Sequence, residues 1–484
     1  MVNTQLIRLL QELDRKELES FQRFVDSPYH NQNARLCHLA QLILAQAPDW
    51  EQLNREALDQ AMFPGESFQY PRITNYLSDL KKLLEAYLVH ERIQQDPVSF
   101  QLELAQAAQE RSMDFLFEQT DRKLRKRFDQ WTFHGPSRIY QQYQLEDTRY
   151  VYLTGKQRRP NQSLLRINQQ LHHFYVASML EEACKLINFQ NVLQEIPIPD
   201  HMQRFIDNIQ TQKEGYQDQP HIQLYVSILG SLLYPDEKSH YQEFKQLLTQ
   251  YESDIPHLDL FGIYQYAQNY CIKQANQGQS AFLRELFVLY QNMIENGLIF
   301  YQDYIPGNYV KNIVSLGVRL GEFEWTEYFL DQYADQIEPE QQEAVLAYNR
   351  AYLLYGKGES RAAMRLLVHL EFEDVYYYLG TKTLLLKIYF ELEEETALIS
   401  LFHSFAASLR RNKLVSGYQR KVHLNLIRFT RKLTDLRSRS YSMRRKQLLE
   451  AGEALRLQIE KTQAISNISW LQDRLARLIN MALI

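Results

Sequence analysis

The sequence has few of the residues that interrupt helices, with 16 glycines and 14 prolines among its 484 residues. Alternation of apolar and polar residues, which is the pattern of a half-buried strand, is also missing. Hydrophobic residues instead make up 45% of the chain and aromatic residues 12%, which is ample material for a buried core. We therefore predict an all-α protein.

The three cysteines, Cys37, Cys184 and Cys271, are too far apart to form the Cys-x-x-Cys pair of a zinc or redox site. No stretch approaches the roughly 18 uninterrupted apolar residues of a membrane-spanning helix, and the first residues do not resemble a signal peptide. The formal net charge of −5 excludes a uniformly basic surface for nucleic acid. Together these absences predict a cytoplasmic protein with no membrane partner.

The residue patterns of common enzymes are missing as well. The chain has no Gly-x-x-x-x-Gly-Lys-Ser/Thr phosphate loop, no Gly-x-Gly-x-x-Gly turn, no Gly-x-Ser-x-Gly elbow and no His-Glu-x-x-His zinc helix. We therefore predict a noncatalytic protein with no cofactor, no metal and no small-molecule substrate. An enzyme without a recognisable motif is a further alternative.

Helical periodicity runs along most of the chain. Apolar residues that recur every three or four positions form a single stripe on a helix, which is the side that packs against a core. One such stripe is made by Ile73, Leu77, Leu80, Leu84 and Leu88.

Helix starts and ends can also be located from local signals. Asp14 followed by Glu17 has the spacing of a capping box, in which each side chain binds the backbone N–H of the other residue. Ser27 and Pro28 then end the segment, because proline lacks the backbone donor that would continue a helix. We predict one helix between these signals.

The chain has no Gly/Ser-rich linker, so we predict four parts that pack continuously. Residues 1–95 form an N-terminal helical domain and residues 96–198 a connecting region of long helices. Residues 199–408 form degenerate helical repeats, and residues 409–484 form basic C-terminal helices that cap them.

The repeats are visible as three glycines with matching neighbours. Gly278, Gly321 and Gly358 are separated by 43 and 37 residues, which is near the period of a helical hairpin. An asparagine lies nine residues before each glycine and a large apolar residue lies nine residues after it. The matching residues are Asn269, Asn312 and Asn349 before the glycines, and Phe287, Leu330 and Leu367 after them.

The most regular unit, residues 347–367, resembles a tetratricopeptide repeat. It has Ala351 in its first helix, Gly358 at the turn, Ala363 in its second helix and then Leu367. In such a repeat, small residues let two helices approach closely and glycine turns the chain in a left-handed conformation. Each hairpin buries its remaining apolar face on the next one.

The resemblance extends over residues 220–408 in weaker form. Ala397 follows Ala363 by 34 residues, although Leu392 replaces the turn glycine of that unit. Upstream, Thr326 and Leu283 stand where the alanine would be. The expected fold is a helical-hairpin, tetratricopeptide-like α-solenoid preceded by an N-terminal helical domain.

The resemblance implies that first helices within residues 258–390 line a concave groove that binds a peptide or helix of a partner protein. In tetratricopeptide proteins the asparagine of the first helix commonly faces this groove and hydrogen-bonds the ligand backbone. The alternative is that the asparagines brace adjacent hairpins or are solvated. The predicted groove residues are Gln268, Asn269, Lys311, Asn312, Tyr348, Asn349, Tyr352 and Lys382.

Residues 410–446 hold thirteen Lys/Arg and a single acid, Asp435, whereas residues 322–395 hold sixteen Asp/Glu and six Lys/Arg. Because clustered cations attract phosphates, the second hypothesis is a nucleic-acid-associated regulator that uses this basic face or the N-terminal helices. The alternative for the basic stretch is a solvated amphipathic face. The candidate contacts with an anionic partner are Arg410, Arg411, Lys421, Arg428, Arg431, Lys432, Arg444 and Arg445.

Residues 54–88 have a short helix, a Pro-Gly turn and a long helix that carries Arg72, Lys81 and Lys82. This arrangement faintly resembles a helix-turn-helix, although three cations are few for a recognition helix. A plain helical docking domain is the favoured interpretation.

The chain as a whole resembles helical repeat proteins of bacteria of the Bacteroidetes type. The resemblance lies in the turns SPYHNQN and AMFPGESF and in the later segment LHHFYVASMLEEACKLINFQNVL. It implies a bacterial helical repeat fold, but those proteins have no established activity that could be carried over to individual residues.

Overall fold

The computed structural model describes seven stretches of the chain and shows an all-helical protein. Within them there are twenty-three α-helices and three short 3-10 helices, and β structure is limited to two isolated bridges. This confirms the all-α prediction. No helix in the described part of the chain is both long and apolar enough to cross a membrane. The described residues are 5–50, 53–156, 163–193, 197–211, 213–301, 303–372 and 374–481.

The chain divides into two compact units, residues 1–229 and 230–484, with the division inside one helix. The predicted division into four parts stays a prediction. The helices up to this division are α1 Gln5–Gln11, α2 Arg15–Asp26, α3 Ala34–Leu44, α4 Arg55–Met62, α5 Tyr70–Gln95, α6 Pro97–Glu110, α7 Asp114–Phe128, α8 Pro136–Thr154, α9 Ser163–Leu193, α10 Asp200–Thr211 and α11 Pro220–Leu233.

The start of α2 follows the sequence signal. Asp14 Oδ1 accepts a hydrogen bond from the backbone N–H of Glu17 at 2.8 Å, and Glu17 Oε2 accepts one from the backbone N–H of Asp14 at 2.9 Å. Helix α2 ends at Asp26 and Ser27 is its C-cap. Both predictions for this helix are confirmed, because a capping box depends only on residues three positions apart.

The apolar stripe of α5 lies in the first core of unit 1, but it ends differently from the prediction. Ile73 and Leu84 are buried as expected, whereas Leu88 is 40% exposed and Tyr87 is 3% exposed. A helix turns about 100° per residue, so a step of three positions from Leu84 keeps the stripe on the core side. Tyr87 fills that position, and its hydroxyl donates to the carbonyl of Glu17 at 3.2 Å.

The cations on α5 are held by acids of unit 1. Arg72 donates to both carboxylate oxygens of the buried Asp59, at 2.7 and 3.0 Å, and also pairs with Glu66. Its guanidinium hydrogen bond holds the pKa of Asp59 below its usual value. Lys81 pairs with Glu85 and Lys82 with Asp79, both within α5. The three cations singled out for a recognition helix therefore each have an acidic partner in the fold.

Unit 2 is a succession of hairpins in which each helix packs on its nearest neighbours. Helix α15 contacts α16 and α17, α17 contacts α18 and α19, α19 contacts α20 and α21, and α21 contacts α22 and α23. The helices of unit 2 are α12 Lys238–Tyr251, α13 His257–Asn276, α14 Ala281–Glu295, α15 Gly307–Leu320, α16 Phe323–Gln332, α17 Gln342–Gly356, α18 Ser360–Leu367, α19 Val375–Glu391, α20 Glu395–Arg411, α21 Gly417–Ser440, α22 Arg445–Glu460 and α23 Ile468–Met481.

The turn glycines have the backbone conformation that the repeat pattern predicts. Gly278, Gly321 and Gly358 have φ angles of 93°, 77° and 85°, which glycine adopts without a steric penalty. In the next hairpin the left-handed residue is Glu393, with φ of 60°, and not Leu392. The prediction that Leu392 replaces the glycine is therefore wrong by one residue.

Because of this turn conformation, we expect two substitutions to change the free energy of unfolding in opposite directions. Gly358→Ala should lower the free energy of unfolding by about 1 kcal/mol, because an added Cβ meets nothing within 4 Å and the cost is conformational alone. Glu393→Gly should raise it by about 0.5–1 kcal/mol, because it relieves the same conformation. Urea unfolding of both variants measures the two values, and effects of the same sign would contradict the assignment.

Glycines let neighbouring helices of unit 2 approach closely. A Cβ at Gly317 of α15 would collide with Oγ1 of Thr326 on α16, within one hairpin, and a Cβ at Gly356 of α17 would collide with Val318 of α15, between two hairpins. Thr326 is fully buried, and its hydroxyl donates to the carbonyl of Glu322 at 2.6 Å. The close approach of α15 and α16 therefore depends on glycine in α15, opposite the position where the repeat pattern expects alanine.

The C-terminal helix α23 packs on α21 and α22. Its Trp470 stacks edge-on against Phe390, and the indole N–H donates to Glu391 Oε1 at 2.8 Å. The carboxylate of Glu391 also pairs with Arg474 at 2.7 Å. These contacts attach the last helix to the end of α19.

Candidate functional site

Four alternate helices of unit 2 meet at one cavity of about 280 Å³, which we call the α19 cavity. Helices α15, α17, α19 and α21 supply nearly all of its lining, and α19 contributes the largest share. The described residues of its lining include no Asp, Glu or Cys. The lining residues are Lys311, Ser315, Tyr348, Tyr352, Tyr376, Leu379, Gly380, Thr383, Leu384, Lys387, Gln419, His423 and Asn467.

Lys311 reaches from α15 to the start of α19. Its Nζ donates to the carbonyl of Tyr376 at 2.6 Å and lies 5.6 Å from the ring centre of Tyr348 and 5.2 Å from that of Tyr377. Burial disfavours the charged ammonium and lowers the pKa of Lys311 to about 8, although Asp374 opposes the shift. Among the described residues, no carboxylate lies within 4 Å of this nitrogen.

Lys387 and His423 add two further nitrogen groups. Lys387 Nζ lies 5.4 Å from the ring centre of Tyr355, and burial lowers its pKa to about 8 against the attraction of Glu391. His423 Nδ1 lies 2.8 Å from the carbonyl oxygen of Gln419. Burial lowers the pKa of His423, and the charge of Lys311 lowers it further. The cavity therefore concentrates basic groups in a partly dehydrated space.

Hydroxyl groups complete the polar lining. Tyr348 is almost fully buried, and burial raises the pKa of its phenol. Thr383 is 8% exposed, and its Oγ1 has no hydrogen-bond partner among the described residues. Gly380 lets the Tyr348 hydroxyl and Lys311 Nζ pack closely against α19, because a Cβ there would lie 2.5 Å from the hydroxyl and 3.2 Å from Nζ.

The three asparagines predicted to line the groove have different environments. Asn349 is fully buried, and its Nδ2 donates to the carbonyl of Val345 at 2.8 Å and to the Tyr377 hydroxyl at 3.1 Å. Asn312 is exposed and hydrogen-bonds Tyr290, whereas Asn269 is half-buried. The hydrogen bond from Asn349 on α17 to Tyr377 on α19 joins two hairpins, which is the structural role given above as the alternative to ligand binding. Ligand binding by the three amides stays a prediction.

The other predicted groove residues divide between the cavity and its surroundings. Lys311, Tyr348 and Tyr352 line the cavity. Gln268 is buried on α13 near Met293, and Lys382 lies over the ring of Tyr378. Neither of these two lines the cavity.

The sequence reasoning missed Thr383, Lys387 and His423. A signal for the first two was present, because polar or small residues recur at intervals of four, three and four along α19, which places them on one side of the helix. His423 lies 36 residues beyond Lys387 on another helix, so no local spacing connects it to the cavity. The interrupted stripe consists of Tyr376, Gly380, Thr383 and Lys387.

The basic C-terminal stretch is mostly exposed. Lys421, Arg428 and Arg431 lie on α21 at intervals that keep them on one side, and Lys432 beside them donates to Gln458 at 2.5 Å. Arg431 also lies over the ring of Phe402 at 5.2 Å. Contact with an anionic partner stays a prediction here. The remaining candidates, Arg410, Arg411, Arg444 and Arg445, are exposed at the ends of α20 and α22.

A larger cavity of about 830 Å³ lies in unit 1 between α2, α3 and the segment that follows α3. Leu18, Leu44 and Trp50 line it, and its charged residues Arg15 and Glu19 pair with each other at 3.3 Å. Gln11, Gln22 and Gln41 also line it, and both amide atoms of Gln22 are buried without a hydrogen-bond partner among the described residues. Its described lining contains no lysine or histidine, which distinguishes it from the α19 cavity.

The fold and cavity define an all-helical protein with a basic, hydroxyl-lined cavity between alternate helices of its second unit. Comparison of the chain with family models, with curated proteins and with solved structures gives no match. Among the described residues there is no group of three His, Cys, Asp or Glu side chains placed to hold a metal ion.

Proposed function

We propose that the protein is a noncatalytic scaffold that binds a peptide or helix of another protein on the face formed by α15, α17, α19 and α21. The observation that carries this proposal is that alternate helices, and not sequence neighbours, meet at the α19 cavity. In a stack of hairpins, alternate helices are the first helices of successive units and share one side. The order of helix contacts in unit 2 supports the same arrangement.

The proposed architecture of this region is a tetratricopeptide-like α-solenoid. Three left-handed glycine turns and the close contact between Gly317 and Thr326 supply the local geometry of such hairpins. The contacts of α21 with α19 and α20, and of α23 with α21 and α22, support the proposed role of residues 409–484 in covering the repeats that precede them.

The lining of the cavity supports binding over catalysis. Its functional groups are amines, hydroxyls, amides and one imidazole, and the described lining supplies no carboxylate or thiol. General acid–base or nucleophilic chemistry commonly pairs a nucleophile with a base that a third group orients. Lys311 is instead directed onto the carbonyl of Tyr376, which is a static hydrogen bond within the fold.

Site-specific photo-crosslinking tests the proposed face. Tyr376 lines the cavity and is 63% exposed, and Tyr328 on the second helix α16 is 61% exposed. Each is replaced by p-benzoylphenylalanine in the full chain, which is then irradiated in the cells that produce the protein natively. We expect protease-sensitive adducts from position 376 at several times the yield from position 328.

Equal yields at positions 376 and 328 would contradict a specific binding face. A third probe at Tyr418 addresses the nucleic-acid hypothesis, because this residue is 71% exposed on the basic helix α21. Nuclease-sensitive adducts at Tyr418 together with no adduct at Tyr376 would favour that hypothesis over the scaffold.

A further inference from the structure

We propose that the α19 cavity binds an oxyanion, the carboxylate or phosphoryl group of an acidic or phosphorylated side chain, presented by the partner polypeptide. This inference rests on the proposed scaffold function and specifies which chemical group of the partner the site recognises. Three features of the cavity lead to it: the kind of groups that line it, the absence of an ion pair at its two lysines, and a buried hydroxyl without a partner.

The first feature is an excess of hydrogen-bond donors. Lysine, tyrosine, threonine and serine side chains face the cavity, and the described lining contains no acid. Such a lining suits a ligand that only accepts hydrogen bonds, which is the property of an ionised carboxylate or phosphate. The two lysines would repel a cationic ligand, whereas they would attract an anion.

The second feature is that neither cavity lysine is in an ion pair, although Asp374 attracts Lys311 and Glu391 attracts Lys387 from beyond ion-pair distance. In the described part of the chain, Lys311 and Lys387 are both partly buried and neither is in an ion pair. Other partly buried cations of the same chain are paired, as Arg72 is with Asp59 and Arg125 with Glu146. Burial of an amine without a counter-charge is unfavourable, and an entering anion would offset that cost.

The third feature is a hydroxyl with no use inside the fold. Thr383 Oγ1 is buried without a partner among the described residues, although buried polar atoms are nearly always hydrogen-bonded. Thr383 lines the same cavity as Lys311 and Lys387, so an anion bound there could use this donor as well.

The size of the cavity suits a single side chain of the partner. A water molecule occupies roughly 30 Å³ in the liquid, so 280 Å³ is room for a group of about nine waters. A helix has a diameter of about 10–12 Å and does not fit inside. The partner segment therefore lies across the opening, near the exposed Tyr376, and inserts one acidic or phosphorylated side chain.

Calorimetric titration of the full chain with three capped hexapeptides tests this inference. The peptides are hexaglutamate, hexaserine with one phosphoserine, and unmodified hexaserine. We expect at least one anionic peptide to bind tenfold or more tightly than hexaserine. Preference between the two anionic peptides then distinguishes carboxylate from phosphoryl recognition, since both groups offer the same acceptor chemistry.

Four variants separate the cavity from general surface charge. Lys311→Met and Lys387→Met should each weaken binding of the preferred peptide at least tenfold, because methionine keeps the length and removes the charge. Thr383→Val should weaken it about threefold or more without loss of Tm, because the removed hydroxyl has no partner in the fold. The matched control Lys461→Met removes an exposed lysine at the end of α22, outside the cavity lining, and should bind like the wild type.

Absence of any anionic preference in the wild type, or equal loss in Lys461→Met, would overturn the inference. The crosslinking experiment distinguishes failure of this inference from failure of the scaffold proposal. Adducts at Tyr376 that persist in the Lys311→Met and Lys387→Met chains would leave the scaffold standing and reject the oxyanion. Tight binding of an anionic peptide without any adduct at Tyr376 would reject the scaffold and retain the anion site.

Discussion

Replacing Glu391 by alanine is expected to lower the free energy of unfolding of the protein by about 3 kcal/mol. One carboxylate oxygen of Glu391 accepts hydrogen bonds from the Tyr355 hydroxyl at 2.6 Å and the Trp470 indole at 2.8 Å, and it pairs with Arg474 at 2.7 Å. The substitution leaves all three partly buried donors without this acceptor. It also releases α23 from the end of α19.

The matched control is Glu450→Ala, which removes an exposed glutamate from α22 and should change stability by no more than about 0.5 kcal/mol. Glu391→Gln should fall between the two, because the amide oxygen still accepts but carries no charge for Arg474. Urea unfolding of the three variants gives the comparison. A loss at Glu391→Ala no larger than at Glu450→Ala would show that α23 is not held by this carboxylate.

Replacing Gly317 by alanine is expected to destabilise the protein by about 1–3 kcal/mol. Alanine is the better helix former by about 1 kcal/mol, so local propensity predicts the opposite sign. The expected loss arises because the new methyl group would collide with Thr326 Oγ1 across the contact between α15 and α16. The sign of the measured change therefore decides between propensity and packing.

A second substitution should restore the contact. Thr326→Ala removes the hydroxyl that blocks the new methyl group and leaves a Cβ at 3.4 Å, which is close to ordinary contact. We expect a favourable coupling energy of about 1–3 kcal/mol between Gly317→Ala and Thr326→Ala in a double-mutant cycle. Additive effects would mean that the two helices are not in the close contact described.

The fold class and several turns were predicted from the sequence because they depend on short-range physics. The capping box of α2 joins Asp14 and Glu17, and the left-handed turns need only a glycine after the last helical residue. Where the local signal was weak, the prediction was wrong by one residue, as at Leu392 and at Leu88. In both cases the neighbouring residue, Glu393 or Tyr87, has the predicted role.

The candidate site was predicted only in part. Lys311, Tyr348 and Tyr352 were identified by their register within a repeat, and they line the cavity. Asn349 has the same register as Asn312 but is buried against Tyr377, which comes from the following hairpin. Repeat register assigns a residue to one side of a helix, whereas its burial depends on which side chain the next unit places against it.

The sequence by itself determined that the chain is helical and where many of its helices begin and turn, because hydrophobic period, caps and glycine conformation act over a few residues. Only the tertiary structure decided which charged groups are neutralised and which are left unpaired in a cavity. Arg72 and Lys387 look alike as single cations in the sequence. Arg72 pairs with Asp59, thirteen positions away, whereas Lys387 faces a cavity built from four helices. These different surroundings arise from packing between segments that are distant in the sequence.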